Sequence, residues 1–377
     1  MGKLPGSVSA IKGLFSGSQE LVGVDIGSHA VKVVWLAAND KTCHLKGWGH
    51  SPLQFKSDAT PEEKKFVTAQ TVKGIFERQK ISCRTVATSV SGNAVIVRYI
   101  SIPKIAKKDL PLMLAAEAEP YIPFDIKDVN LGCHIIGDVL EDGQKKTQLV
   151  LVAAKRDLIN EKLEILKAAG LSPLVIDVDA FTLETVFERL PQPEGGACVA
   201  LNIGNKVTNL VIIEGGMTRV ARDILIAGNT FTRTISKTLG IEPAKAEELK
   251  RLVGISMDGT APAGPGAAPG GAPSQEEQAC GIITGIVRDL AGEVHRSLDF
   301  YLSQAKDRAV STLYITGGSA SLKNLASFLA SELKINVEVV TPLSLLGSAR
   351  GETVPPELAP SLTVATGLAL RKLWDWE

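Results

Sequence analysis

Three short turns rich in glycine and small polar residues stand at the ends of predicted strands. They are Asp25-Ile26-Gly27-Ser28, Asn202-Ile203-Gly204-Asn205 and Gly317-Gly318-Ser319. Glycine lets backbone N–H groups come close to a phosphate because it has no Cβ, and the Asp25 carboxylate could hold Mg²⁺ through water. A plain β-hairpin has turns of the same composition, so each turn alone also fits that simpler interpretation.

Two further side chains stand beside the first two turns. Lys32 lies on the strand that returns from the first turn, from where its ammonium group could reach a phosphate. Thr208 follows the second turn, and its hydroxyl could add a hydrogen bond to those of the backbone. Gly317 and Gly318 follow a buried strand, and a planar base could lie flat on their backbone. The set predicts sites for a phosphate chain and for a base.

Glu247 and Lys250 are a pair of charged residues that could contact a ligand together. They lie three residues apart in Ala246-Glu247-Glu248-Leu249-Lys250-Arg251, and on a helix they would project from one face. A solvated charged helix has the same spacing, so both interpretations stay open. His29 lies in the first turn with no carboxylate visibly paired with it, which favours a surface residue over an acid–base catalyst.

The familiar phosphate-loop and hydrolase motifs are absent from the sequence. There is no G-x-x-x-x-G-K-[ST], no H-E-x-x-H and no G-x-S-x-G. Gly264 and Gly266 begin a G-x-G, but Pro269 stands where a dinucleotide-binding fingerprint needs its third glycine. We therefore expect the chemistry of the chain to depend on the three turns.

Composition narrows the possible partners and compartments. Lysine plus arginine equals aspartate plus glutamate at 41 each, so no net charge attracts nucleic acid. The five cysteines are scattered without a C-x-x-C pair, as in a reduced cytosolic protein. No apolar run approaches the roughly 20 residues of a membrane-spanning helix, so we expect no integral membrane segment.

The elements that must position the turns follow from apolar periodicity and turn residues. Strands are predicted at 21–26, 31–36, 85–90, 94–100, 129–137, 148–153, 174–178, 199–203, 210–213 and 312–315. Helices are predicted at 61–80, 107–119, 157–169 with Asp157 as cap, 276–304, from 319 to about 333, and 362–373. Strand–glycine turn–strand units recur 177 residues apart, counted from Asp25 to Asn202, which indicates an internal duplication.

The order of the three turns is more specific than any one of them. It resembles the phosphate, phosphate, adenosine order of the actin, Hsp70 and sugar-kinase superfamily. The resemblance implies a duplicated, ribonuclease H-like α/β fold that encloses ATP and Mg²⁺, with Asp25 nearest the metal. It also implies that Glu247 and Lys250 hold the ribose.

Four further segments resemble the PilM family of type IV pilus assembly proteins. They are Glu117-Ala118-Glu119-Pro120-Tyr121-Ile122-Pro123-Phe124, Val152-Ala153-Ala154-Lys155-Arg156, Ser297-Leu298-Asp299-Phe300-Tyr301 and Ala365-Thr366-Gly367-Leu368-Ala369-Leu370-Arg371. The resemblance covers roughly residues 20–373 and implies an actin-like architecture with an inserted subdomain of the type found in FtsA.

The expected division of the chain has five parts. Residues 1–19 form a flexible lead-in. The first actin-like subdomain takes 20–96 and 171–195 with a closing helix at 360–377, and the inserted subdomain takes 97–170. The second core subdomain takes 196–230 and 310–359. A lid takes 231–309 and includes a Gly/Ala/Pro loop at 258–274, which cannot bury apolar surface.

The family resemblance also implies a partner and a location. PilM proteins bind the N-terminal cytoplasmic tail of PilN, and the complex connects to other type IV pilus inner-membrane and motor components. The protein would then be cytoplasmic and peripheral at the inner membrane. Tyr121, Ile122, Pro123 and Phe124 are candidates for the tail-binding groove, although packing inside the subdomain explains them equally well.

Asn202 departs from the superfamily pattern, because the second turn usually opens with aspartate. An amide gives neutral hydrogen bonds where a carboxylate would organise Mg²⁺ and the attacking water. We therefore expect ATP binding with weak or absent hydrolysis. The alternatives are a small-molecule kinase, for which no catalytic aspartate stands in a recognisable motif, and a filament-forming protein like FtsA.

Overall fold

The computed structural model of the chain describes residues 19–38, 43–56, 58–104, 110–141, 143–189, 196–256, 273–304, 309–345, 347–348 and 353–371. The predicted lead-in at 1–19 and loop at 258–274 lie outside the described residues, apart from Gln19, Pro273 and Ser274. The described strands form three sheets.

A six-stranded sheet forms the centre of the first half. Its strands are β1 Gln19–Ile26, β2 Ala30–Ala38, β3 Cys43–Pro52, β4 Thr85–Val90, β8 Ser172–Val178 and β14 Gly347–Ser348, in the order β14-β3-β2-β1-β4-β8. β1 and β2 are antiparallel, and the Gly27 N–H donates to the Ala30 carbonyl across 3.1 Å where the chain reverses. The predicted first hairpin is therefore confirmed.

A five-stranded sheet repeats this arrangement in the second half. Its strands are β9 Ala197–Ile203, β10 Thr208–Glu214, β11 Met217–Ile224, β12 Val310–Thr316 and β13 Asn336–Val339, in the order β11-β10-β9-β12-β13. The Gly204 N–H donates to the Val207 carbonyl across 3.0 Å, and β12 runs parallel to β9 as β4 does to β1. The duplication predicted from the two turns is confirmed.

The third strand of each repeat, β3 and β11, has no counterpart in the sequence prediction. Both carry charged residues on a partly exposed face, such as Lys46 and Arg222. These residues interrupt the apolar run by which the other strands are recognised, because only one face of each strand needs to be apolar.

A three-stranded antiparallel sheet is inserted after β4. Its strands are β5 Val95–Pro103, β6 Val129–Glu141 and β7 Gln144–Lys155, in the order β5-β7-β6. Helix α2, Leu110–Ala118, packs on one face, and its Leu114 joins Ile100 and Leu149 in a separate apolar core. This sheet has its own core and is the inserted unit.

The helix after β7 corrects two predictions. Helix α3, Arg156–Ala168, packs on α1, Pro61–Arg78, and on β8 of the six-stranded sheet. The inserted unit therefore ends near Lys155 and not at residue 170. Asp157 is not the cap of α3. The cap is Lys155 without a side-chain hydrogen bond, and Asp157 lies in the first turn, where its charge favours the helix N-terminus.

Two helices lie between the six-stranded and five-stranded sheets. They are α4, Asp179–Phe187, and α9, Thr363–Leu370, and their buried side chains contact both sheets. Glycine is required where α9 meets α4 and where α9 meets β1. A Cβ on Gly367 would lie 2.1 Å from the Thr182 carbonyl oxygen, and one on Gly23 would lie 2.0 Å from the Ala365 carbonyl oxygen. Backbone contacts backbone at both places.

Helices α5 Gly228–Leu239, α6 Pro243–Val253, α7 Gln275–Ser303 and α8 Leu325–Leu333 complete the second half. The predicted helix at 276–304 is confirmed as α7. It begins with a capping box between Ser274 and Glu277, and its buried face contains the predicted Ile283, Val287 and Leu290. Helix α5 was not predicted, although Phe231 and Ile235 give it an apolar face.

Candidate functional site

The three glycine turns open into one cleft between the two halves. The cleft has a volume of about 870 Å³ and is lined by residues of all three turns, among them Asp25, Gly204 and Gly318. Direct hydrogen bonds join the turns. Asn205 Nδ2 donates to Ser28 Oγ across 3.0 Å, and the Ser319 N–H donates to the Ile203 carbonyl across 3.1 Å. The plain-hairpin interpretation does not account for this convergence.

The glycines keep the floor of the cleft clear of side chains. A Cβ on Gly204 would lie 2.7 Å from the Val207 carbonyl oxygen. Gly317 has a φ of +91°, and a Cβ there would lie 2.6 Å from Asn202 Oδ1. Gly318 faces open space, with no atom within 4 Å of a Cβ position. Its bare backbone offers a flat surface on which an aromatic ring can lie.

Asp25 at the end of β1 is held by a lysine. Lys32 Nζ lies 2.9 Å from Asp25 Oδ2, and both side chains are largely buried. Lys162 of α3 also reaches this turn, and its Nζ donates to the Ile26 carbonyl across 2.5 Å. Burial lowers the pKa of Lys162, against the nearby charges of Asp25 and Asp179. The first turn therefore lies between two lysine side chains.

Asp179 at the start of α4 is a second carboxylate in the cleft lining. Burial raises its pKa to about 6, the charge of Asp25 acts in the same direction, and hydrogen bonds with Ser89 and Ser91 oppose the shift. Neither Lys162 nor Asp179 was predicted from the sequence. The available signal for Asp179 was its place directly after the strand β8, which resembles the place of Asp25 at the end of β1.

The second turn is connected to a chain of buried amides. Asn202 Nδ2 donates to Asn209 Oδ1 across 2.8 Å, and Asn209 Nδ2 donates to Asp223 Oδ1 across 2.8 Å. The backbone N–H of Gly92 donates to Asp223 Oδ2 across 2.5 Å. Burial raises the pKa of Asp223, and the hydrogen bonds from Asn209 and Gly92 oppose that shift.

Thr208 does not contribute its side chain to the cleft. It is fully buried, and its hydroxyl donates to the Ile226 carbonyl across 2.7 Å. The prediction that this hydroxyl would support a phosphate is therefore wrong. As the first residue of β10, Thr208 points away from the turn because side chains alternate between the faces of a strand.

Glu247 and Lys250 line the cleft together, so the interpretation as a merely solvated helix face is wrong. Lys250 is only 8% exposed, and its Nζ donates to Glu247 Oε2 across 2.6 Å. Thr232 Oγ1 donates to the same oxygen. Burial opposes ionisation of Glu247, but hydrogen bonds from Lys250, Thr232 and Arg251 outweigh it and lower the pKa of Glu247 to about 2.

His29 lies at the mouth of the cleft as the predicted exposed turn residue. Partial burial is the main cause that lowers its pKa, and the charges of Arg251, Lys250 and Lys32 act in the same direction against that of Glu247. The imidazole is therefore neutral at physiological pH. Among the residues that the structure describes, no group of three or more His, Cys, Asp or Glu side chains could enclose a metal ion.

The predicted partner-binding residues divide into two kinds. Ile122 is buried in the core of the three-stranded sheet, and Phe124 packs against that core with Lys155 Nζ 4.4 Å from its ring centre. Tyr121 is 44% exposed and Pro123 is also exposed. Internal packing therefore explains Ile122 and Phe124, whereas Tyr121 and Pro123 remain accessible. In the described part of the chain, no helix is long and apolar enough to cross a membrane.

Comparison with solved structures defines the class of fold. The ethanolamine utilization protein EutJ from Carboxydothermus hydrogenoformans matches with a TM-score of 0.54 at 13% identity, over 94% of this chain and 90% of that one. MreB5 of Spiroplasma citri, in a structure bound to ADP, matches with a TM-score of 0.50 at 12% identity, over 93% and 94%. The chain has the actin-like duplicated fold expected from its sequence.

A closer similarity narrows this class to one family. The structure described as a PilM–PilN type IV pilus biogenesis complex matches with a TM-score of 0.77 at 28% identity, over 94% of this chain and 98% of that one. The family model for type IV pilus assembly protein PilM matches residues 23–260 and 272–373. The chain therefore belongs to the PilM family, as its four sequence segments predicted.

Proposed function

We propose that this protein is an ATP-binding scaffold of type IV pilus assembly and binds the N-terminal cytoplasmic tail of PilN. The observation that carries the proposal is the convergence of the three turns on one cleft, in a chain that belongs to the PilM family. The choice of partner is supported by the solved PilM–PilN complex, whose matching chain is 28% identical to this one.

Each part of the cleft suits one part of ATP. Backbone N–H groups around Gly27 and Gly204 would bind the phosphates, with Ser28, Lys32 and Asn205 at the two turns. Glu247 and Lys250 would bind the ribose hydroxyls, and Gly317, Gly318 and Ser319 would support the base. The open space above Gly318 fits a planar ring.

The cleft also fits Mg²⁺ bound chiefly through phosphates and water. Mg²⁺ in nucleotide sites keeps several waters and uses one or two carboxylates. Asp25 and Asp179 are two such carboxylates in the lining. Bound there, the ion would neutralise phosphate charge. Asn202 at the second turn has no charge to add, so we expect hydrolysis to be slow or absent.

The PilN tail would bind beside the three-stranded sheet, where Tyr121 and Pro123 are exposed. Ile122 and Phe124 would fix the position of this segment from inside the subdomain. The bound tail would hold the protein at the cytoplasmic side of the inner membrane, where it connects to other inner-membrane and motor components of the pilus machine.

Isothermal titration of a synthetic PilN tail, with and without ATP–Mg²⁺, tests this proposal. We expect binding in at least one condition and a loss of tenfold or more in Tyr121→Ala. Leu140→Ala is the matched control, because Leu140 is an exposed apolar residue on β6 of the three-stranded sheet, at 71% exposure. The absence of heat in both conditions would exclude the scaffold role.

A small-molecule kinase remains the second candidate because of Asp179. A buried carboxylate with a pKa near 6 in the cleft lining has the properties of a general base. If the protein is a kinase, ATP consumption must rise severalfold when a polyol substrate is added. Unchanged consumption across a panel of sugars and polyols would exclude this activity.

A further inference from the structure

Asp223 on β11 is a carboxylate with two fixed donors. Asn209 Nδ2 lies 2.8 Å from one oxygen, and the Gly92 N–H lies 2.5 Å from the other. Asp223 is the cross-strand partner of Asn209, 14 residues away, it lies 131 residues from Gly92, and it is only partly exposed. The hydrogen bonds from Asn209 and Gly92 favour the ionised form of Asp223 against burial, which raises its pKa, and an ionised carboxylate accepts hydrogen bonds but cannot donate them. Its partners must therefore both present N–H groups.

This requirement also fixes the orientation of the next two amides, Asn209 and Asn202, which lead to the cleft. Asn209 must turn its NH₂ group to Asp223, which leaves Asn209 Oδ1 to accept from Asn202. Asn202 must in turn donate through Nδ2, so its Oδ1 is left facing the third turn. A Cβ on Gly317 would lie 2.6 Å from that oxygen. Asn202 lines the cleft, and the Asp223 carboxylate thereby decides which of its side-chain atoms lies beside the third turn.

We infer that Asp223 is a positioning residue that makes Asn202 present an acceptor oxygen to the cleft, and that the second turn thereby favours the Mg²⁺ complex of ATP over free ATP. An acceptor oxygen can receive a hydrogen bond from the water shell of a divalent cation. The opposite orientation would present an NH₂ group, which suits a phosphate oxygen and repels a hydrated cation. The inference rests on the proposed ATP binding.

The same carboxylate joins the two halves of the protein. Gly92 belongs to the loop between β4 and β5 in the first half, with a φ of +88°. Asp223 belongs to the second half, 131 residues away. The loop with Gly92 leads into β5, the first strand of the three-stranded sheet. The position of this loop and the orientation of Asn202 therefore both depend on the side chain of Asp223.

The first test is Asp223→Asn, with titration of ATP in excess Mg²⁺ and again in excess EDTA. The Gly92 N–H holds the oxygen of the amide introduced at position 223, so the NH₂ group of that amide faces Asn209 and reverses the orientation of Asn209 and Asn202. We expect the ratio of the two affinities to fall about tenfold, as the loss of one hydrogen bond implies. The EDTA affinity should change less than threefold. An unchanged ratio would overturn the inference.

The second test restores the chain of hydrogen bonds but moves its negative charge from position 223 to position 202. In Asn202→Asp combined with Asp223→Asn, the carboxylate at 202 accepts from Asn209, whose oxygen accepts from the amide at 223. Every hydrogen bond, including that of Gly92, then has a donor and an acceptor. We expect the Mg²⁺ preference to return to at least the wild-type ratio. A folded double variant with the low ratio of Asp223→Asn would contradict a positioning role.

A readout without nucleotide separates this inference from the proposed function. In protein labelled with ¹⁵N at asparagine, the side-chain NH₂ groups of Asn202 and Asn209 should exchange slowly and become faster in Asp223→Asn. Fast exchange in the wild type would overturn the amide chain whatever the protein binds. If the wild-type protein shows slow exchange but does not bind ATP, the proposed function is wrong, and the inferred Mg²⁺ preference is wrong with it. The inferred orientation of the two amides would still hold.

Discussion

Asn205 Nδ2 donates to Ser28 Oγ across 3.0 Å, and these two residues lie 177 positions apart in the chain. Each occupies the position after the glycine of its turn, so the bond connects equivalent points of the two repeats. The two predicted phosphate-binding turns are therefore neighbours before any ligand is considered.

This hydrogen bond should give a measurable coupling free energy between the first and second turns. Ser28→Ala and Asn205→Ala should each lower the free energy of unfolding by about 0.5–1 kcal/mol, because the bond is exposed to water. A double-mutant cycle by urea denaturation should give a coupling of about 0.5 kcal/mol. Strictly additive effects would show that the bond contributes nothing in solution.

Asp25→Ala should abolish ATP binding in the presence of Mg²⁺. The variant loses the carboxylate nearest the phosphate turns and leaves the Lys32 ammonium without its partner 2.9 Å away. We expect affinity to fall by more than tenfold in isothermal titration. Asp58→Ala, at an exposed carboxylate outside the cleft lining, is the control. Unchanged affinity in Asp25→Ala would contradict the assigned cleft.

Asp179→Asn should stabilise the fold at alkaline pH. The folded protein raises the pKa of Asp179 to about 6 from an ordinary value near 3.8, so the ionised group destabilises the fold above pH 6. This destabilisation fades as the pH falls from 6 toward 3.8, and it is absent below 3.8, where the group is protonated in both the folded and the unfolded state. A two-unit shift corresponds to about 2–3 kcal/mol.

Urea denaturation of wild type and Asp179→Asn at pH 8 and pH 4.5 measures this effect. We expect the variant to be more stable at pH 8 and the difference to shrink at pH 4.5. The Ser89 and Ser91 hydroxyls can donate to the amide oxygen of the variant, so its packing should be preserved. A difference that is independent of pH would show that folding does not shift the pKa of Asp179.

Gly367→Ala should unfold the protein or destabilise it by about 3 kcal/mol or more, because the new Cβ would lie 2.1 Å from the Thr182 carbonyl oxygen. Gly281→Ala is the matched control. It changes a helical glycine of α7 with no atom within 4 Å of its Cβ position. That change should be neutral or stabilise by up to about 1 kcal/mol. Thermal unfolding of both variants gives the comparison.

The sequence predicted the features whose signals are local. The turns at Gly27 and Gly204 were found because glycine and the apolar runs on either side stand together in the chain. Glu247 and Lys250 were found because helical spacing places both side chains on one face. Their burial was left open because it depends on Thr232 and the rest of helix α5, which the sequence pattern did not reveal.

The features that were missed come from long-range packing. Lys162 reaches the first turn only because α3 packs on the six-stranded sheet, and the prediction had assigned that helix to the inserted subdomain. Asp223 lies on β11, a strand whose alternation is hidden by charged residues. Thr208 was assigned to the cleft from its distance along the chain, whereas the strand periodicity places its side chain on the opposite face.

The contacts of Gly23 with α9, and of Gly367 with α4, restrict how the cleft can open. Carbonyl oxygens lie against backbone at both places, so β1, α9 and α4 cannot slide past one another. Arg371 at the end of α9 is bonded to the buried Asp177 of β8, which ties the C-terminal end of α9 to the same six-stranded sheet. The six-stranded sheet and these two helices therefore form one unit, and an opening of the cleft requires the second half to move against that unit.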